Sequence, residues 1–331
     1  MKILVTGACG FIGSHLVEEL VRKNFKVKAF TFYDARGSNG WLDTIDKKIL
    51  NEIEIVSGDI RDSEFLNNNS KNINAIFHLA ALIGIPYSYH AAKSYIETNI
   101  IGTYNVLNAA KINNVSKTIV TSTSEVYGTA ESVPILESHS LNAQSPYAAS
   151  KIGADQLSLS FNKSFDLPVT IIRPFNTFGP RQSARAIIPT IITQLLKNKK
   201  QIKLGNLTPT RDFTYVSDTV DAFIKTLKNN SISGETINIG NKFEISIKDI
   251  LKIFQDDFDF EFTVKIDKKR VRAKNSEVYR LYASNQKAKK LLKWTPKYQG
   301  KSGFKESLKK TILWFKDPKN LKKYNSETYS I

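Results

Sequence analysis

Two short segments carry side chains that could do acid–base chemistry. Tyr147 and Lys151 stand four residues apart in Tyr147-Ala148-Ala149-Ser150-Lys151, a spacing that shares one face of a helix. An ammonium beside a phenol favours phenolate, so a group that ordinarily titrates at pKa ~10 could act as a base near neutral pH. Alone, such a pair is usually a helix-surface contact. Here it follows Thr123-Ser124-Glu125-Val126-Tyr127-Gly128, which adds a hydroxyl and a carboxylate able to act as a general base.

A phosphate-binding turn precedes both. Gly7-Ala8-Cys9-Gly10-Phe11-Ile12-Gly13 lies between an apolar run, Lys2–Thr6, and the helical stripe of Leu16, Val17, Leu20 and Val21. Gly7 permits the tight turn, Gly10 lets a pyrophosphate approach the backbone, and Gly13 lets helix and strand pack closely. The pyrophosphate would then sit on a helix N-terminus, where free N–H groups favour anions. Cys9 reads as a small filler. An acidic residue for the ribose 2′-hydroxyl usually follows about 20 residues on. Thr31 stands there instead, with Asp34 and Arg36 just beyond, which leans toward NADP over NAD. Asp59 and Ile60 read as adenine contacts.

Helical and apolar segments must position these groups, and they alternate. Apolar runs at Lys26–Thr31, Glu54–Val56, Ala75–Leu79, Thr118–Thr121 and Val169–Arg173 are separated by helical patterns, notably Ile96–Ile112 and Tyr147–Phe161. Strands alternating with helices predict an α/β fold, a Rossmann-type doubly wound parallel sheet. After about Gly179 the rhythm changes. Residues 181–331 are expected to form a smaller C-terminal substrate-binding lobe, partly interleaved with a dinucleotide-binding domain over 1–180.

Composition excludes several classes. Of 331 residues, 41% are hydrophobic and 11% aromatic, too many for a disordered chain. No apolar run approaches the ~20 residues of a membrane span, and the start has no signal-peptide pattern. One cysteine precludes an internal disulfide and fits a cytoplasmic location. His15, His78, His90 and His139 have no metal-ligand spacing, so no metal is expected. The net charge of +17 comes from 38 Lys and 10 Arg. The lysines are scattered, as in the Lys-Asn stretch at 197–200, rather than gathered on a nucleic-acid-binding motif.

Further motifs join these: His78-Leu79-Ala80-Ala81, Thr98-Asn99-x-x-Gly102-Thr103, Arg173-Pro174-Phe175-Asn176, Gly179-Pro180-Arg181-Gln182 and Arg211-Asp212-Phe213. With them the chain resembles, to about residue 297, an extended short-chain dehydrogenase/reductase of the nucleotide-sugar epimerase/dehydratase group. The run from Thr121 to Ala130 and that from Gln144 to Lys151 are most similar to the 4,6-dehydratases of the legionaminic-acid pathway of surface-glycan synthesis, which act on an N-acetylglucosamine nucleotide. The dTDP-glucose 4,6-dehydratases carry Asp where this chain has Ser124. The GDP-mannose 4,6-dehydratases also have Ser there, and Asn275-Ser276-Glu277-Val278 is similar to that branch.

The resemblance implies a lyase acting on a GDP- or UDP-linked N-acetylglucosamine through tightly bound NAD or NADP. Tyr147 would take the O4 proton, with Lys151 lowering its pKa and holding the nicotinamide ribose. Thr123 would bond near O4, and Glu125 would remove the C5 proton, with Ser124 helping relay a proton to the leaving C6 hydroxyl. The cofactor would touch Gly7, Gly10, Phe11, Ile12, Gly13, Thr31, Arg36, Asp59, Ile60, Leu79, Ala80, Ala81, Asn99, Tyr147 and Lys151. The substrate would touch Ser88, Thr123, Asn176, Arg185, Arg211, Arg272 and Glu277. A homodimer is implied through a four-helix bundle, with Ile100, Ile101, Leu107, Leu157 and Leu159 available for it. A C4-epimerase would keep Tyr147 and Lys151 without needing Glu125. A non-catalytic NADP-sensing protein is a further alternative, which the intact Tyr–Lys pair disfavours.

Overall fold

The computed structural model describes residues 1–197 and 199–324. Asn198, within the Lys-Asn stretch, and 325–331, the end of the expected second lobe, lie outside the described residues. The strands in chain order are β1 (Lys2–Thr6), β2 (Lys26–Phe32), β3 (Ile53–Gly58), β4 (Ala75–His78), β5 (Lys117–Thr121), β6 (Val169–Pro174), β7 (Asn176–Phe178), β8 (Gln201–Leu204), β9 (Thr210–Tyr215), β10 (Thr236–Ile239), β11 (Glu244–Ser246) and β12 (Thr263–Ile266). The longer helices are α1 (Phe11–Arg22), α2 (Gly102–Ile112), α3 (Pro146–Phe165), α4 (Ile187–Leu196), α5 (Val216–Thr226), α6 (Ile247–Asp256) and α7 (Gly300–Lys316).

Seven strands form one parallel sheet in the order β10-β6-β5-β4-β1-β2-β3. β1, β4 and β6 are apolar and buried almost throughout, as a sheet covered on both faces requires. The chain runs outward from β1 to β3, then returns to place β4 on the other side of β1. That reversal opens a crevice beyond the carboxyl ends of β1 and β4, where ligands of such sheets bind. The seventh strand, β10, comes from the segment after 181 and pairs with β6. α5 from the same segment packs its Val220 and Phe223 into the core shared with Leu16 and Leu20 of α1. A second core gathers α4, α6 and α7 around Ile191, Ile250, Phe254 and Phe304. Two smaller sheets, β11-β9-β7 and β12-β8, pack Phe178, Phe213, Ile245, Ile202 and Leu204 into this second core.

The expected continuous helix Ile96–Ile112 divides. Ile96–Ile101 is a π turn and only Gly102–Ile112 is α-helical. The cause is Asn99. Its side chain turns inward to bond both main-chain groups of Leu82 and the Ser150 hydroxyl, each at 2.9 Å. Its carbonyl accepts the Thr103 hydroxyl at 2.6 Å. A wider turn brings Asn99 inside while leaving Ile96 and Ile101 exposed.

The glycine loop is fixed by contact. Gly7 adopts φ +68°, and a Cβ there would lie 2.7 Å from the Ala80 nitrogen. A Cβ on Gly13 would lie 2.2 Å from the Gly7 carbonyl oxygen, so α1 can seat against β1 only without a side chain. Gly13→Ala is expected to destabilise the fold by about 1–3 kcal/mol through overpacking. The measurement is the urea midpoint, which should fall at unchanged slope.

Candidate active site

A cavity of about 1060 Å³ opens at the crevice between the two cores. Its walls include Gly7, Gly10, Phe11, Ile12 and Gly13 of the glycine loop, and Leu79, Ala80 and Ala81 after β4. Thr6 and His78 set the geometry there. The Thr6 hydroxyl meets the His78 Nδ1 at 2.8 Å and accepts the N–H groups of Leu79 and Ala80 at 3.2 Å. The other ring nitrogen meets Thr103 at 3.0 Å. Burial and the Lys151 charge push His78 down to about 3, so the imidazole is neutral and acts as a bridge.

The loop fits a dinucleotide on structural grounds. Gly10 precedes α1 with no side-chain cap, and the first turn of α1 holds no acidic residue. Those free N–H groups and the helix dipole suit a pyrophosphate. Arg181, at φ +69°, adds a cation. Its guanidinium pairs with Glu18 at 2.6 Å and donates to the Ser14 hydroxyl at 3.2 Å. The Gly-Pro-Arg motif and the scarcity of arginine were the sequence signals that could have assigned it a role.

On the opposite wall, Ser145 caps α3 by accepting from the Ala148 N–H, and Pro146 occupies the first turn. One face of α3 then presents Tyr147, Lys151 and Asp155, all buried. The Tyr147 phenol is hydrogen-bonded to Thr123, yet burial raises its pKa well above the ordinary tyrosine value. Lys151 donates its ammonium to the Thr121 carbonyl at 2.7 Å. Burial lowers the Lys151 pKa, opposed by Asp155. Asp155, which sequence reasoning missed, accepts the Ser122 hydroxyl at 2.8 Å and Arg173 at 2.9 and 3.0 Å. Its four-residue spacing from Lys151 was the available signal. Ser124 and Glu125 follow Thr123 in a 3₁₀ turn, buried and lining the same cavity.

The far end of the cavity is cationic. Arg211 of β9, Arg272 and Arg185 line it, with Asn176 and Glu277. Glu277 lies between two arginines, 3.7 Å from Arg211 and 3.8 Å from Arg272. Burial pushes the Arg211 pKa down. The Asn176 Oδ1 and Arg272 Nη1 are buried without a hydrogen bond, the latter having only the 3.8 Å ion pair to Glu277, which suits a polar ligand. Asp212 and Asp218 point away from Arg211. Asp212 accepts from the N–H groups of Asn241, Lys242 and Ala283, and Asp218 from that of Tyr298.

Six expected contacts do not line this cavity: Thr31, Arg36, Asp59, Ile60, Ser88 and Asn99. Each is engaged elsewhere in the fold. Thr31 bonds Ser57 at 3.0 Å, and Arg36 forms a paired contact with Asp34. Asp59 does the same with Arg61, and Ile60 packs under Gly102. Ser88 bonds the Ile85 carbonyl, and Asn99 holds Leu82. Leu107 is likewise fully buried in the core, so it cannot serve an outer face. Among the described residues no group of His, Cys, Asp and Glu could hold a metal ion, and no helix is long and apolar enough to cross a membrane.

Comparison with known proteins places this geometry in a family. The family described as GDP-mannose 4,6 dehydratase matches residues 4–307. A dTDP-D-glucose 4,6-dehydratase of Dictyostelium discoideum is 38% identical over 266 residues, covering 76% of this chain and 61% of that one. A putative UDP-glucose 4-epimerase of Methanocaldococcus jannaschii is 31% identical over 321 residues, covering 95% and 98%. Among solved structures, a mutant UDP-glucuronic acid 4-epimerase of Bacillus cereus, in complex with UDP-4-deoxy-4-fluoro-glucuronic acid and NAD, superposes with a TM-score of 0.86. It is 30% identical, with 96% of this chain and 99% of that one covered. With the glycine loop, the Tyr147–Lys151 helix and the cationic far wall in one cavity, the chain belongs to the extended short-chain dehydrogenase/reductase family of nucleotide-sugar 4,6-dehydratases and epimerases.

Proposed function

We propose that the protein is a 4,6-dehydratase that converts a GDP- or UDP-linked N-acetylglucosamine to its 4-keto-6-deoxy form, with NAD or NADP held in the glycine-loop half of the cavity. The observation that carries this reading is Glu125. It is a buried carboxylate two residues from Thr123 in the wall that also holds Tyr147, and a C4-epimerase has no step for it. Residues 1–180 hold the dinucleotide in this reading, and residues after 181 supply the wall for the nucleotide diphosphate. The single cysteine favours a cytoplasmic setting.

A bound nicotinamide supplies the acceptor and donor of the hydride that moves from sugar C4 to C6. Tyr147 removes the O4 proton, its phenolate favoured by any cation brought beside it, since burial alone keeps it protonated. Thr123 orients the phenol and the O4 group. Lys151, braced by Thr121 and Asp155, fixes the positive charge beneath the site. Once C4 is a ketone, Glu125 takes the acidified C5 proton. The C6 hydroxyl departs with a proton returned from Glu125 through the Ser124 hydroxyl, which replaces the aspartic acid of the dTDP-glucose enzymes. Arg211 and Arg272 take the diphosphate, where a planar guanidinium gives paired contacts that lysine lacks. Arg36, exposed and paired with Asp34, and Thr31 favour NADP in this reading.

A homodimer through the outer faces of the Ile96–Ile101 turn, α2 and α3 belongs to the same proposal. Ile96, Ile101 and Tyr104 are exposed there, beside the partly buried Ile100, Leu157 and Leu159, and two copies of each helix would form a four-helix bundle. Light scattering at micromolar concentration should give about twice the chain mass of 37.3 kDa. A mass equal to one chain refutes the dimer.

Incubation with GDP- and UDP-N-acetylglucosamine, read by mass for loss of water, tests the reaction. Glu125→Gln should cut dehydration by about 10²–10⁴-fold with dinucleotide still bound. Dehydration within threefold of wild type would remove Glu125 from the role and raise the epimerase reading. Arg211→Lys should raise the nucleoside-diphosphate dissociation constant by about one to two decades, as read by titration calorimetry. Unchanged affinity with a lowered melting temperature would make Arg211 a structural partner of Glu277 instead.

A further inference from the structure

The C-terminal end of the described chain reaches the glycine-loop half of the cavity. Beyond α7, the turn Pro318–Leu321 brings Lys323 and Tyr324 against Trp41, nearly the whole chain away in sequence. The main-chain N–H of Trp41 donates to the Cys9 carbonyl of the glycine loop at 3.1 Å. Its ring meets Trp314 edge-on at 5.7 Å and Tyr324 at 5.9 Å. The Lys323 ammonium sits 5.4 Å from the centre of the same ring. Trp41 and Lys323 both line the cavity, and among the described lysines only Lys151 and Lys323 do so. Asp43, the nearby acid in that wall, is turned to the Ser38 hydroxyl and the Asn39 N–H, each at 2.9 Å.

A second observation points the same way. Tyr324 is 7% exposed and its hydroxyl is buried without a partner. The Arg181 charge acts on it, and Arg181 is the residue paired to Ser14 and Glu18 of α1. Two cations from segments far apart in the chain, Arg181 and Lys323, therefore stand on the glycine-loop side, where α1 opens its uncapped N-terminus.

We propose that the C-terminal segment completes the dinucleotide site. Lys323 pairs with a phosphate of the bound dinucleotide, and Trp41, braced by Trp314 and Tyr324, is the wall that retains it. The inference rests on reading this half of the cavity as the dinucleotide site. The phosphate is either the pyrophosphate common to NAD and NADP or the 2′-phosphate of NADP alone, and charge pairing is the shared chemistry.

Titration calorimetry of the full chain with NAD and with NADP separates these. Lys323→Glu should raise the dissociation constant about five- to tenfold. Lys322→Glu, the exposed neighbour outside the cavity lining, should leave it within twofold. Equal loss for both dinucleotides places Lys323 on the pyrophosphate, and loss confined to NADP places it on the 2′-phosphate. If wild type binds and Lys323→Glu binds as well, or Lys322→Glu loses as much, the proposal is wrong. If wild type binds neither dinucleotide, the cavity reading itself fails. Tryptophan emission gives an independent reading: NADH or NADPH should quench it, and Trp41→Phe should lose most of the quench. An unchanged quench removes Trp41 from the wall.

Discussion

One buried ion pair holds the rest of the site in place. Asp155 and Arg173 are almost fully enclosed, and one carboxylate oxygen accepts from two of the three guanidinium nitrogens and from Ser122. Arg173 also donates to the Tyr127 hydroxyl at 2.8 Å, and Tyr127 in turn donates to Asn238 at 2.8 Å. The pair thus ties α3 to β6, to the turn after β5 and to β10. Taking two charges out of water is costly, and removing one partner would leave the other uncompensated. Such a network tolerates few alternative arrangements. The benefit falls on Lys151 and Tyr147, one and two turns away on the same helix face.

The cavity exists because two cores share elements without merging. β10 and α5 join the first core from late in the chain, while α4, α6 and α7 form the second. Arg181 and Glu18 pin α1 to the loop beyond β7. His15 reinforces that seam by contacting the Pro180 carbonyl at 3.0 Å. Burial and Arg181 push it down to about 4, so the imidazole is neutral and Glu18 faces only the charges of Arg181 and Arg22. The walls that face one another across the crevice are therefore held by short-range bonds at its edges.

What the sequence revealed depended on the range of the interaction. Gly7, Gly10 and Gly13 were legible because their roles are set by a strand, a turn and a helix within a dozen residues. Tyr147 and Lys151 were legible for the same reason, and their cavity placement agrees. The present partners of Thr31, Arg36 and Asp59 were not legible, because residue type does not say which neighbour takes the side chain. Asp34 and Arg61, each two residues away in sequence, pair with Arg36 and Asp59. The raised pKa of Tyr147 had no local signal, because burial depends on the whole fold. Partners far apart in the chain, such as Glu277 for Arg211 or Tyr324 for Trp41, leave no local pattern to read.

The π turn at Ile96–Ile101 has a consequence for how this chain can change. Such a turn contains one residue more than an α-helix would use, and each residue advances a helix by roughly 100°. Deleting a single residue would restore regular α geometry and rotate everything before it by that angle. Asn99 would then swing away from Leu82 and Ser150, and the exposed Ile96 would turn toward the sheet. The loop that floors the cavity and the apolar outer face are geared together by that extra residue. An insertion or deletion there would be felt at both surfaces at once, so variation in this stretch should take the form of substitutions rather than changes in length.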